Sequence, residues 1–88
     1  MRLVEEIIVE KLDDHYVGVP TGKASEMFNG MIQLNDTAYF LMNYLKEERS
    51  KEELVQELIK HYDIDDSLAN QAVESFINEM KQTGLLYE

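Results

Sequence analysis

The side chains that could carry out chemistry in this sequence are few and scattered. Its 88 residues include two histidines, His15 and His61, and no cysteine. Metal sites need several ligands at characteristic spacings, and nucleophilic sites need a nucleophile beside a base. Neither pattern occurs, and without cysteine both a disulfide framework and a cysteine-ligated zinc site are excluded. We expect a protein that is not an enzyme and has no metal site and no cofactor.

One acidic segment, "DIDDSLANQAVE", has some features of a calcium-binding loop. Asp63, Asp65, Ser67 and Glu74 fall at positions one, three, five and twelve of such a loop. Position six, however, is Leu68, where the sharp turn of the loop requires glycine. Acidic side chains that cap a helix explain the segment better, so we predict no calcium site.

The net charge argues against nucleic acid as a partner. Eighteen acidic residues against eight basic ones give −10 at pH 7, and such a surface repels phosphate backbones. The last predicted helix carries Asp65, Asp66, Glu74 and Glu79 against Lys81, which is unsuited to a DNA groove. We expect no nucleic-acid partner, and a winged-helix DNA-binding regulator remains a minor alternative.

The N-terminal residues contain no targeting signal. In "MRLVEEIIVEKLDD", Glu5, Glu6 and Glu10 surround an apolar run that is too short for a signal peptide. No stretch reaches the roughly 20 apolar residues needed to span a bilayer. We therefore expect a cytoplasmic protein with no membrane partner.

The first third of the chain favours strands. Residues 6–12, "EIIVEKL", are rich in β-branched residues and lead into the turn pair Asp13-Asp14, and residues 15–20, "HYVGVP", return from it. Residues 21–30 carry two glycines and no clear period, so we predict a loop there. Met31–Leu34 is then a short third strand.

From Asn35 onward the pattern is helical. Asn35 suits an N-cap, and the first helix is expected to run to about Glu47. Ser50 and Glu53 have capping-box spacing at the start of the second helix. A third helix follows the break at residues 63–67 and ends before Gly84, a residue suited to a left-handed C-terminal cap. We predict one domain, residues 1–88, of α+β class: three N-terminal strands followed by three helices in a winged-helix-like arrangement.

The short third strand raises a functional question. An unpaired strand edge is a template for an incoming peptide, which would gain main-chain hydrogen bonds and side-chain pockets. Folded proteins usually protect such an edge, so a covered edge and a peptide-binding module are both consistent with the residues. A self-associating domain, in which the edge pairs with a second copy, is a further alternative.

Three segments together resemble the PqqD-like family. They are "IQLNDTAYFLMNYL", "RSKEELVQELIKHYDID" and "AVESFINEMKQTGLL", and the resemblance covers about residues 30–86. The family's Leu-Asn-Glu/Asp-Thr-Ala segment corresponds to Leu34–Ala38, and its Gly-Leu-Leu ending to Gly84–Leu86.

The resemblance implies a recognition element for ribosomally made, modified peptides. In that family the leader segment of a precursor peptide adds as a strand beside the third strand, in a cleft with the third helix. The domain then presents the peptide to a separate modifying enzyme, often a radical SAM enzyme, in quinone-cofactor (PQQ) biosynthesis or another peptide pathway. Carried over to this chain, the implied peptide-binding residues are Met31, Ile32, Gln33, Leu34, Ala69, Val73, Phe76, Ile77 and Met80.

Overall fold

A computed structural model describes residues 1–87. Its elements, in chain order, are β1 (Arg2–Leu3), β2 (Ile7–Leu12), β3 (His15–Pro20), α1 (Ala24–Met27), β4 (Ile32–Leu34), α2 (Asp36–Tyr44), α3 (Lys51–Tyr62), α4 (Asp66–Thr83) and β5 (Leu86–Tyr87). The predicted α+β class, with a sheet built from the N-terminal strands and three long helices after it, is confirmed. Three additional short elements, β1, α1 and β5, complete the fold.

The main sheet is antiparallel, with strand order β2-β3-β4. The turn pair Asp13-Asp14 joins β2 to β3, and Leu12 lies opposite His15 at the last pair before the turn. Asp13 takes a positive φ of 47°, a conformation that aspartate and asparagine adopt more readily than most residues. The predicted hairpin is therefore confirmed, and β4 completes the sheet along the other side of β3.

The predicted loop at residues 21–30 contains the one-turn helix α1. Gly22, with a φ of 55°, turns the chain, and the Ser25 hydroxyl donates a hydrogen bond to the Gly22 carbonyl oxygen. Ala24 is buried against the core. Periodicity could not reveal this helix, because four residues complete barely one turn.

The two chain ends pair with each other, which the sequence did not indicate. β1 and β5 form a two-stranded antiparallel sheet, with Leu3 opposite Leu86. The Leu3 N–H donates to the Leu45 carbonyl oxygen at 2.9 Å, and the Val4 N–H donates to the Leu85 carbonyl oxygen at 3.0 Å. This N-terminal segment therefore ties the end of α2 to the residues that follow α4.

The predicted helix caps are present. The Asn35 side chain accepts a hydrogen bond from the Ala38 N–H at 2.8 Å, and α2 ends at Tyr44, three residues before the predicted end. Ser50 and Glu53 form the reciprocal capping box at the start of α3. Gly84 ends α4 in the left-handed conformation, with a φ of 76°. Local sequence signals thus set the boundaries of the three long helices.

The core lies between the inner face of the sheet and the three long helices. The apolar stripes predicted for the helices supply most of it, and the N-terminal segment and β4 add the rest. Its buried members are Leu3, Val4, Ala24, Ile32, Leu34, Leu41, Met42, Leu45, Leu54, Val55, Leu58, Ala69, Val73, Phe76, Ile77, Met80 and Leu85. None of the helices in the described part of the chain has the length and apolar character needed to cross a membrane.

Candidate functional site

The candidate site begins at β4, which forms one edge of the main sheet. Among the described residues, β4 pairs with β3 and with no other strand. Its register is Tyr16 opposite Leu34, Val17 opposite Gln33 and Gly18 opposite Ile32. The opposite side of β4 therefore carries main-chain groups without a strand partner.

Hydrogen bonding elsewhere in the sheet identifies which β4 groups face that free edge. The Thr21 N–H donates to the Glu6 carbonyl oxygen at 2.8 Å, at the position that continues the β2–β3 register. In an antiparallel ladder, hydrogen-bonded and non-hydrogen-bonded pairs alternate. Odd-numbered residues of β3 therefore face β2, and its even-numbered residues, Tyr16 and Gly18, face β4.

This alternation divides the β4 segment into two sets of residues. The main-chain N–H and C=O groups of Ile32 and Leu34 face β3, because these residues lie opposite Gly18 and Tyr16. The main-chain groups of Met31 and Gln33 face the free edge. An incoming strand would therefore find its donors and acceptors at Met31 and Gln33.

The side chains of residues 31–34 alternate between the inner and the outer face of the sheet. Ile32 and Leu34 pack into the core with 8% and 2% of their surface exposed. Met31 is 72% exposed and Gln33 is also exposed, so both lie on the outer face of the sheet. The core thus holds β4 in place through two residues, while the other two remain accessible.

A groove of about 360 Å³ begins where β4 ends. One wall is the start of α2, with Asn35, Thr37 and Ala38. The other wall is one flank of α4, on which Phe76 is buried and the other residues are at least partly exposed. That flank consists of Leu68, Gln71, Ala72, Ser75, Phe76 and Glu79, residues spaced three and four apart on one side of the helix.

The helix residues implied by the family resemblance lie mostly behind this groove. Ala69, Val73 and Met80 have no exposed surface, and Ile77 is also buried. Phe76 is the one residue of that set whose side chain both belongs to the core and lines the groove. In this conformation the four buried residues pack in the core behind the α4 wall. Their direct contact with a peptide stays a prediction.

Apart from Phe76, sequence reasoning missed the α4 residues that border the groove. Leu68 is an apolar residue outside the core stripe, and it is 54% exposed. Such an exposed apolar position beside a stripe was the available signal. Gln71, Ser75 and Glu79 gave no signal, because polar residues on a solvated helix face look the same whether or not a groove lies beside them.

Charge and polarity differ along the groove. Glu79 contributes a carboxylate, and it has no ion-pair partner among residues 1–87. Leu68, Ala72 and Phe76 provide an apolar surface next to it. A guest with an apolar side chain and a basic side chain matches both features.

Aromatic stacking fixes the α2 wall of the groove. Tyr39 stacks on Tyr16 of β3 with ring centroids 4.0 Å apart and planes at 5°, and Phe40 stacks on His61 at 4.4 Å. Burial raises the pKa of Tyr62 above its ordinary value, and the nearby Asp36 carboxylate adds to that rise.

The two histidines do not converge on the groove or on each other. His15 contacts the Asp14 carboxylate at 3.2 Å in the exposed hairpin turn, whereas His61 stacks on Phe40 at the end of α3. The described residues contain no group of three or more histidine or carboxylate side chains that could hold a metal ion.

Comparison with known proteins identifies the family. The model of the family described as coenzyme PQQ synthesis protein D (PqqD) matches residues 21–86. The chain belongs to the PqqD family. That match includes β4, α2, α3 and α4, and thus both walls of the groove. No curated protein matches this PqqD-family sequence.

Two solved structures share the fold of this PqqD-family chain. TbiB1 in complex with the TbiA(beta) leader peptide has a TM-score of 0.73 at 18% sequence identity, and the similarity covers 100% of this chain and 99% of TbiB1. Lasso peptide synthetase B1 complexed with the leader peptide has a TM-score of 0.70 at 24% identity, covering 99% and 96%. At these identities the likeness establishes the common fold.

Proposed function

We propose that this PqqD-family protein binds the leader segment of a ribosomally made precursor peptide and presents it to a separate modifying enzyme. The leader adds as a fourth strand to the free edge of β4. The observation that carries this proposal is the open edge at Met31 and Gln33 beside the α4 groove. Family membership and the leader-peptide complexes of two proteins with the same fold support it.

In strand addition the main chain and the side chains contribute differently to peptide binding. The N–H and C=O groups of Met31 and Gln33 set the register of the guest through hydrogen bonds. Every second guest side chain then points towards the groove, where Leu68, Ala72 and Phe76 offer an apolar surface. Main-chain bonding gives affinity that depends little on sequence, and the groove gives selectivity.

The protein acts in this proposal as a binding partner, and the chemistry belongs to another protein. Proteins of this family serve enzymes that modify the peptide, and a radical SAM enzyme is the partner that we expect. The described residues offer no convergent set of nucleophile, base and metal ligands at the groove. Quinone-cofactor biosynthesis and other peptide-modification pathways are both compatible with such a role.

A DNA-binding role fits the same surfaces less well. The α4 helix begins with the Asp65 cap and Asp66, and Glu74 on its surface is held by Lys51 at 2.9 Å. With a net charge of −10, an approach of this helix to phosphates is electrostatically unfavourable. Salt-sensitive binding to duplex DNA would be the result that favours this alternative.

The test is a backbone-amide NMR titration with the leader peptide of a precursor encoded beside this gene. We expect shifts centred on Met31 and Gln33 and on the groove flank of α4, and much smaller shifts in α3. The Ala72→Glu variant should weaken binding at least tenfold, because it places a charge on the apolar wall of the groove. Shifts that avoid β4, or saturable binding that Ala72→Glu leaves unchanged, would contradict the proposal.

A matched control lies on the same helix. Gln82→Glu adds the same side chain to an exposed position of α4 outside the groove. It introduces an equal change in net charge and should leave peptide affinity within about twofold, since exposed surface charges interact weakly. Equal losses in both variants would show that overall charge, and not occupation of the groove, governs binding.

A further inference from the structure

The main sheet has a second open edge, at β2, on the side opposite β4. Among the described strands, β2 pairs with β3 alone. The alternation fixed by Thr21 and Glu6 directs the main-chain groups of Ile7, Val9 and Lys11 away from β3. The Ile7 N–H already donates to the Glu5 carbonyl oxygen, so Val9 and Lys11 carry the available pairs of groups.

A groove of about 430 Å³ lies beside this edge, between β2 and α2. Its surface is mainly apolar, with polar groups contributed by α2 and by the segment that follows it. The residues that line it are Leu3, Val4, Glu5, Ile7, Val9, Tyr39, Met42, Asn43 and Lys46. Open main-chain groups beside an apolar groove are the features that also define the β4 site.

The two ends of this second groove are chemically different. Lys46 follows Leu45, whose carbonyl oxygen accepts the Leu3 N–H, so Lys46 lies at the end where the chain enters β2. Tyr39 stacks on Tyr16, the residue opposite Lys11, and therefore marks the other end. The groove runs from Lys46 at one end to an aromatic end at Tyr39, where the Lys11 ammonium lies 5.9 Å from the centroid of the Tyr16 ring.

The charge at the Lys46 end is not neutralised within the described residues. Lys46 is exposed and has no ion-pair or hydrogen-bond partner among residues 1–87. The neighbouring Glu5 carboxylate lies 3.8 Å from the Arg2 guanidinium. In a chain of net charge −10, this lysine offers a place for a carboxylate beside an apolar surface.

We propose that the β2 edge is a second strand-addition site, which takes an extended segment of a partner protein. The segment carries an apolar side chain and a carboxylate on the same face. The apolar side chain lies against Ile7, Val9 and Met42, and the carboxylate pairs with Lys46. This site does not depend on the leader-binding role of β4, because it uses the other edge of the sheet and the other side of α2.

Charge favours this partner over two other occupants, a second copy of the chain and a segment suited to the β4 groove. In antiparallel pairing centred on Val9, a second copy of the chain would place its Lys11 opposite Ile7, near the Lys46 end of the groove. It would thus bring a cation and not a carboxylate to Lys46. The β4 groove offers the opposite charge, Glu79, so a segment suited to that groove is mismatched here. A partner strand with an acidic side chain satisfies both the edge and Lys46.

The test uses a displayed library of random 12-residue peptides as the probe. Selection is done on the Gln33→Pro protein, which closes the β4 edge. The selected peptides should be enriched in an apolar and an acidic residue two positions apart, since alternate side chains share a face. Amide shifts on binding should centre on Val9 and Lys11. Selection that yields no binder, or binders without this pattern, overturns the proposal.

Two variants then test the edge and the charge separately. Val9→Pro removes the outward N–H and should abolish binding, whereas Lys46→Glu should weaken it at least tenfold without altering the fold measured by NMR. If Val9→Pro does not fold, Lys46→Glu alone decides. Unchanged affinity in Lys46→Glu overturns the proposal, as does a concentration-dependent dimer that Val9→Pro abolishes. Neither variant alters the β4 site, so leader binding serves as the independent control.

Discussion

Proline substitutions in β4 give a direct test of the register and of the free edge. Ile32 and Gln33 are adjacent, but their main-chain N–H groups face opposite sides of the strand. Proline removes that N–H and adds a ring in its place. Ile32→Pro should therefore mainly lower the stability of the fold, whereas Gln33→Pro should mainly lower the affinity for the peptide.

Ile32→Pro should be strongly destabilising. It removes a ladder hydrogen bond to β3 and leaves the facing carbonyl oxygen unsatisfied, at a cost of about 1–3 kcal/mol. It also removes apolar side-chain volume at a position that is 8% exposed, where truncation typically costs about 1 kcal/mol or more. The total, at least about 2–4 kcal/mol, is a large share of the stability of a small domain.

Gln33→Pro should leave the fold nearly intact and remove peptide binding. Its N–H has no strand partner in the described structure, so the loss of stability should stay below about 1 kcal/mol. In the complex, the guest carbonyl that should accept from Gln33 is left unpaired, which costs about 1–3 kcal/mol and lowers affinity about tenfold to a hundredfold. Steric exclusion by the ring adds to this loss.

Urea denaturation followed by circular dichroism measures the first effect, and calorimetric titration of the leader peptide measures the second. Gln33→Thr is the matched control, because it changes the same side chain but keeps the N–H and suits a strand. A larger loss of stability in Gln33→Pro than in Ile32→Pro would mean that the register is shifted by one residue. Peptide binding of normal affinity to a folded Gln33→Pro protein would refute strand addition at β4.

Three further predictions concern stability. Asn35→Ala removes the N-cap of α2 and should cost about 1 kcal/mol, seen as a fall of about 4–8 °C in Tm, whereas Asn43→Ala at an exposed position near the end of the same helix should not destabilise. Gly84→Ala should cost about 1 kcal/mol in urea denaturation from its φ of 76° alone, because no atom lies within 4 Å of the added Cβ. The Lys51 ammonium holds the pKa of Glu74 below its ordinary value of 4.5, so the unfolded state binds more protons in acid, and the free energy of unfolding should fall as pH drops below about 4.5. Glu74→Gln should reduce that fall, and an unchanged pH profile in this variant would contradict the assignment.

Local sequence signals predicted the parts of the fold that are decided within a few residues. Asn35, Ser50 and Gly84 set helix ends because each satisfies or terminates main-chain bonding in its own turn. The β1–β5 pair was not predictable, because two-residue strands carry no period and their partners are more than 80 positions apart. The one-turn helix α1 was not predictable either, because four residues are too few to show a helical period.

The groove was only partly predictable for a different reason. A helical stripe identifies which side of α4 faces the core, and Val73 and Met80 are indeed fully buried. It does not say which flank of the stripe remains uncovered, since that depends on where α2 lies. The structure leaves the flank of Leu68 and Ala72 open, because α2 begins at Asp36 and contributes only its N-cap and first turn to that side.

The short junction between β4 and α2 explains how an exposed edge can remain ordered without a guest. Leu34 is buried and Asn35 caps α2 at the next position, so no flexible residue separates the strand from the helix. The sheet-facing side of β4 is fixed by hydrogen bonds to β3, and its inner side by the core. Only the Met31 and Gln33 groups remain for a guest, and they are held in an extended conformation before it arrives. The protein then loses little conformational entropy on binding. Even the few hydrogen bonds that a three-residue strand offers can therefore give a useful affinity.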